Sequence, residues 1–243
     1  MNSVAEGGAT CVVDHLVLAA ATLAQGVAWC ETTLGITPGP GGKHPLMGTH
    51  NRLFKIESTA FPRAYFEIIA VDPDAPPPGR ARWFGLDDPA LQARIAAQPQ
   101  LVHVVARSGD LQAHRAALVA AGLEPGQPIS AGRDTPQGRL QWQIMVRDDG
   151  ALACGGALPT LIQWLGLHPA EQMPDSGVSL QTLTLHGVSA PARDALGLQG
   201  VAVLPAAGPA LSALMLTPRG ALMLTPPGAV VLTPRGAVVQ SSP

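Results

Sequence analysis

Residues 12–20 read VVDHLVLAA, a run of aliphatic and β-branched side chains interrupted only by Asp14 and His15. Such a run suits a strand buried on both faces. Thr22 follows where a helix N-cap belongs. Leu23, Val27, Cys30 and Leu34 then recur at spacings of 4, 3 and 4, the apolar stripe of a helix that Gly35 stops. Residues 38–42 read as a turn-rich loop, and residues 52–56 and 64–71 alternate or run apolar like two further strands. The order is strand, helix, then two or three strands.

The same order returns later in the chain. Residues 101–106, LVHVVA, repeat the character of the first strand; Asp110 caps a helix over 111–121 closed by Gly122; strands are predicted at 140–146 and 158–164. His15 precedes its cap Thr22 by seven residues, and His103 precedes Asp110 by seven. Gly35 and Gly122 fall 13 and 12 residues past those caps. Matching order, offset and length imply two copies of one βαβββ unit, which would set equivalent residues around one shared cleft. The predicted class is therefore α+β: paired βαβββ modules forming a curved mixed sheet round a cleft, with a C-terminal β-rich extension. The first module spans residues 12–72 and the second 101–170. Residues 73–100 join them through a proline-rich connector and a short helix at 90–97, because the four prolines of DPDAPPPG (72–79) fix φ and remove backbone donors.

Residues 171–243 form the extension. A strand at 179–185, a Ser189 cap before Pro191 and a strand at 201–204 suggest a partial third module. From Ala213 an octapeptide recurs as ALMLTPRG, ALMLTPPG and AVVLTPRG. Each copy gives four apolar residues and then Thr-Pro-x-Gly, whose proline suits the second position of a β-turn and whose glycine suits the fourth. The repeats predict a small meander, and its nearly uncharged edges make a homodimer one expected assembly.

Composition narrows the partners. Of 243 residues, 27 are Gly and 24 Pro, and only 13% are charged against about 25% in ordinary soluble domains. The 47% hydrophobic content is ample for a core without staples. Fifteen basic against 17 acidic residues leave a net charge of −2 and no basic field for phosphates, so nucleic acid is not an expected partner. Cys11, Cys30 and Cys154 are widely spaced, which fits reduced thiols in a cytoplasmic protein. The opening MNSVAEGG lacks a basic leader, and charges break the apolar stretch after Val12, so neither export nor a membrane anchor is expected. There is no GxSxG elbow, no P-loop and no GxGxxG between a strand and a helix.

Several separate segments carry a resemblance: DHLVL (14–18), GTHNRL (48–53), AYFEIIA (64–70), RWFGLD (82–87), LVHVV (101–105) and LPTLIQWLG (158–166). Over residues 12–190 the chain resembles the glyoxalase-like group of the vicinal-oxygen-chelate superfamily. The resemblance implies a divalent metal held by the first and last strands of both modules. Carried over residue by residue, that pattern makes His15, Glu67, His103 and Gln163 the expected ligands, with Gln163 standing where a carboxylate is more usual. Two imidazoles and a carboxylate suit Zn, Ni, Fe, Co or Mn. Glu67 is the sharper clue, because it sits between Phe66 and Ile68 in an apolar strand where an unpaired carboxylate is costly. It is also the expected catalytic base.

His50, Asn51 and Arg52, at a strand entry, are the expected substrate-binding residues. His44 and His114 read as surface or rim positions, and His168 before Pro169 as a strand end. Two functions from different classes follow. One is a lyase, isomerase or dioxygenase-type enzyme whose metal chelates vicinal oxygens of a small-molecule substrate. The other is a metal-free protein that sequesters a small ligand in the same cleft; a third reading makes the chain an interaction module acting through its meander.

Overall fold

The computed structural model describes residues 10–136, 138–226, 228–233 and 236–239; the opening MNSVAEGG lies outside them. The first unit runs β1 (Cys11–Ala19), α1 (Leu23–Thr33), β2 (Lys43–His44), β3 (Thr49–Lys55) and β4 (Tyr65–Val71). After α2 (Pro89–Ala97) the second unit runs β5 (Gln100–Ser108), α3 (Leu111–Ala120), β6 (Gln127–Thr135), β7 (Gly138–Val146) and β8 (Thr160–Trp164). Both helices start where the sequence places their caps. The Thr22 side chain accepts from Gln25 N–H and the Asp110 side chain from Ala113 N–H.

The strands join in the order β2-β3-β4-β1-β5-β8-β7-β6. In each unit the first strand lies beside the last and parallel to it, β1 to β4 and β5 to β8, while β1 and β5 meet antiparallel at the centre. The two βαβββ-like repeats thus share one curved, nearly closed mixed sheet. Strand β6 was not foreseen; its sequence, QPISAGRDT, is half-exposed and carries Pro128 and Gly132.

Alternation sorts each strand between two apolar layers. Leu16, Leu18, Phe66, Ile68, Val104 and Leu161 pack outward with α1 and α3 residues such as Cys30 and Leu118. Val17, Ala19, Ile69, Val105, Ile144 and Ile162 face inward with Trp83 and Phe84. Helix α1 lies so close to β4 that a Cβ on Gly26 would fall 2.3 Å from Ile68 Cγ2. Only glycine fits that approach.

The extension contributes β9 (Ser179–His186), α4 (Ala190–Leu196), β10 (Leu198–Gln199), β11 (Val201–Leu204), β12 (Leu211–Thr217), β13 (Gly220–Thr225), β14 (Gly228–Thr233) and β15 (Gly236–Val239). A separate sheet orders them β11-β9-β12-β13-β14-β15, and β10 pairs with β1. This topology differs from a third module. Here β11, the strand running parallel to β9, follows α4 with only the two-residue β10 between, whereas in both modules two antiparallel strands come first. The octapeptides form the antiparallel meander β12–β15, with Thr217 opposite Gly220, Thr225 opposite Gly228 and Thr233 opposite Gly236.

Candidate functional site

A β-bulge creates the centre of the cleft. Between Val13 and His15 the register of β1 against β5 slips, leaving Asp14 as the extra residue. The Asp14 carboxylate is fully buried and has four donors: His15 Nδ1 at 2.7 Å, His168 Nε2 at 3.0 Å, Trp164 Nε1 at 3.1 Å and Arg107 Nη1 at 3.2 Å. His168 Nδ1 accepts from Ala170 N–H, so Nε2 is the nitrogen that donates to Asp14. On its other side His15 Nε2 faces Glu67 Oε2 at 3.5 Å, and its ring stacks on Tyr65 with centroids 4.5 Å apart.

Glu67, equally buried, accepts from Asn51 Nδ2 at 2.6 Å. The Asn51 oxygen accepts from Gly42 N–H and Arg133 Nη1. Asn51 Nδ2 also reaches His44 Nε2 at 3.3 Å, whose Nδ1 meets the Thr49 hydroxyl. Hydrogen bonds therefore join Asp14 to His15, and Glu67 through Asn51 to His44 and Arg133, and the 3.5 Å ion pair of His15 with Glu67 connects the two groups.

Burial opposes charge on every member, and the pairing decides the outcome. Desolvation alone would lower His15, yet its bonds to Asp14 and Glu67 raise it to about 9. Asp14 and Glu67 are correspondingly held below the usual carboxylate range, against the same desolvation. His44, without such a partner, is pushed down by burial to about 4 and is neutral. At neutral pH His15 is held as imidazolium facing the Glu67 carboxylate across 3.5 Å.

The expected metal ligands are not brought together. His15 and Glu67 meet, but both ring nitrogens of His103 are engaged elsewhere. Its Nδ1 bonds to Gly156 O at 2.9 Å, and its Nε2 accepts from Thr160 N–H at 3.1 Å. Gln163 lies on the opposite face of β8, donating to Gly109 O and accepting from Leu111 N–H at the start of α3. Register explains this. Two residues after His15, Val17 sits opposite Glu67; two residues after His103, Val105 sits opposite Thr160. Thr160 is the counterpart of Glu67, and Gln163, an odd number of residues beyond it, faces away. Among the described residues no group of three His, Cys, Asp or Glu side chains is placed to hold a metal. The donor set does not fit the cation that the resemblance implies.

Of the three expected substrate-binding residues, Asn51 lines the inner pocket, while His50 and Arg52 alternate onto the other side of β3. His44, His114 and His168, read from sequence as rim or strand-end residues, are all buried. His114 bonds to Ser108 Oγ and to the backbone oxygens of Asp110 and Leu196, so it is a core residue away from the cleft.

Sequence reasoning missed Tyr65 and Arg133, which line the inner pocket, and Asp14, which is buried behind His15. Asp14 carried the same signal as Glu67, a carboxylate inside an apolar run. Arg133 carried none, because its strand was not recognised.

The cleft is walled by aromatic rings. Trp142 and Trp164 lie 5.4 Å apart, and Trp83 stacks on Phe84 at 5.4 Å while meeting His44 edge-on at 5.1 Å. The loop presenting Trp83 and Phe84 is clamped at its base by Arg82 and Asp87, and Phe84 adopts φ 59, a left-handed conformation that a bulky residue rarely holds. Beyond the inner pocket opens a groove of about 520 Å³, lined among others by Ile36, Phe54, Leu140 and Met173. Leu53, Arg133 and Pro169 line both spaces.

A model of the glyoxalase-like domain matches residues 13–198. The chain belongs to that family, and with it to the glyoxalase, bleomycin-resistance and dioxygenase superfamily. No curated protein matches. Among solved structures, a hypothetical protein from Staphylococcus aureus is similar at 19% identity, covering 72% of this chain and 69% of that one, with a TM-score of 0.51. That likeness concerns the fold. Methylmalonyl-CoA epimerase from Streptomyces coelicolor matches at 16% identity over 64% of this chain and 96% of its own, with a TM-score of 0.41. The Mycobacterium tuberculosis methylmalonyl-CoA epimerase matches at 15% over 63% and 85%, with a TM-score of 0.35.

Proposed function

We propose that this protein binds an organic small molecule in the cleft between its modules, without a metal at His15, Glu67 and His103. The observation that carries this reading is the closed hydrogen-bonding of the would-be ligands. His103 Nε2 is taken by the Thr160 amide, His15 Nδ1 by Asp14 and Glu67 Oε1 by Asn51, with His15 Nε2 and Glu67 Oε2 facing each other at 3.5 Å. Beside them lies a groove whose volume of about 520 Å³ falls within the roughly 300–1,000 Å³ of ordinary ligand sites. Glu67 is a poor general base here, since its carboxylate is already paired with imidazolium and amide and its proton affinity is lowered. Binding is the better use of such a site.

The test is a Nile red fluorescence titration in excess EDTA. The expected result is saturable, one-to-one binding that Met173→Arg weakens at least about 10-fold, because a long charged side chain at that half-buried position occupies the groove. Absence of saturable binding, or binding indifferent to the substitution, would overturn the proposal.

A further inference from the structure

The unsatisfied atoms of the cleft say what its ligand brings. Among the described residues, the buried side-chain polar atoms without a partner are all nitrogens, and two of them, Trp83 Nε1 and Arg133 Nε, belong to residues lining the inner pocket. Both are donors only. The pocket's carboxylate already has cationic and amide neighbours, Asn51 Nδ2 donating to Oε1 and His15 Nε2 facing Oε2 at 3.5 Å. A buried donor without an acceptor costs about 1–3 kcal/mol. The missing partner is therefore an acceptor, not a donor.

Charge and shape give the rest. Arg133 makes one side-chain hydrogen bond, to the Asn51 amide oxygen, and has no ion pair among the described residues. It sits where the two spaces meet. The inner pocket, with a volume of about 30 Å³, holds roughly two water-sized atoms, which matches the two oxygens of a carboxylate. The outer groove is lined by apolar residues, Ile36, Leu53, Phe54, Leu140 and Met173 among them, with polar ones that include Asp175. An arginine at an apolar groove's inner end suits a planar anion more than a neutral oxygen.

Building on the small-molecule reading above, we infer that the ligand is an amphipathic monocarboxylate. Its carboxylate lies against Arg133 and Trp83 Nε1 in the inner pocket, and its apolar body fills the groove toward Met173.

The experiment is displacement of Nile red from the full chain by octanoate, octan-1-ol and octylamine, which share a tail and differ in the head. Octanoate is expected to displace the dye at a concentration at least about 10-fold lower than octan-1-ol, a difference of about 1.4 kcal/mol, with octylamine weaker still. Arg133→Met abolishes the preference, so that octanoate displaces the dye no better than octan-1-ol, and Arg133→Lys, which keeps the charge but not the planar fork, retains part of it. Equal displacement by octanoate and octan-1-ol, or an octanoate preference that survives Arg133→Met, would overturn the inference and leave the binding reading standing. Failure of Nile red itself to bind the native chain would overturn both.

Discussion

Replacing Asp14 with Asn keeps the shape of the buried hub and removes its charge. Four donors converge on that carboxylate, and removing one partner of a buried, hydrogen-bonded ion pair costs about 3–5 kcal/mol. An independent route gives a similar size. His15 is raised from 6.5 to about 9, chiefly by Asp14 and Glu67 against the desolvation, and that shift corresponds to about 3 kcal/mol. Because the folded value lies above the unfolded one, this stability is complete below pH 6.5 and is lost as pH rises through about 9. Urea unfolding of the native chain should therefore show stability falling by up to about 3 kcal/mol from this group between pH 6 and pH 9.5. Asp14→Asn should start about 3–5 kcal/mol lower at pH 6 and fall much less across the same window. Imidazole nitrogen shifts of His15, read by NMR, should report a lower pKa in the variant. A variant within about 1 kcal/mol of the native chain, with His15 titrating unchanged, would refute the view that Asp14 organises the cleft.

Acid should act through a different histidine. His44 is neutral and depressed to about 4 by burial, so its contribution is present above 6.5 and lost as pH falls toward 4; His44→Gln should reduce the loss in urea midpoint between pH 7 and pH 4.5. Gly26→Ala should destabilise the fold by about 1–3 kcal/mol in thermal or urea unfolding, despite the better helix propensity of alanine, because the added methyl meets Ile68.

What the sequence reveals depends on how local the cause is. Strands β1 and β5 are legible because their aliphatic runs hardly admit another reading, and the seven-residue offset from histidine to cap reproduces because both modules turn from strand to helix alike. Strand β6 is not legible. It is an edge strand, half-exposed along its length, and its Pro, Gly and Asp residues look like a loop until β7 pairs with it. Losing β6 meant losing Arg133. The bulge at Asp14 is equally silent, since an extra residue in one strand shows only against its partner. Gln163 illustrates the same limit: the strand carrying it was recognised, but its facing depended on a register that only the paired β5 defines. The buried His44 and His168 sit in loop-like sequence beside prolines, and tertiary packing alone encloses them.

Calorimetric titration of chelator-stripped protein with Zn²⁺, Ni²⁺ and Mn²⁺ shows whether the cleft works without a metal. The ion pair of His15 with Glu67, together with the Thr160 amide on His103, predicts no saturable site tighter than the millimolar range, and the same Nile red affinity with or without the metals. A one-to-one site of micromolar or tighter affinity, abolished by His15→Ala and by His103→Ala, would contradict the account.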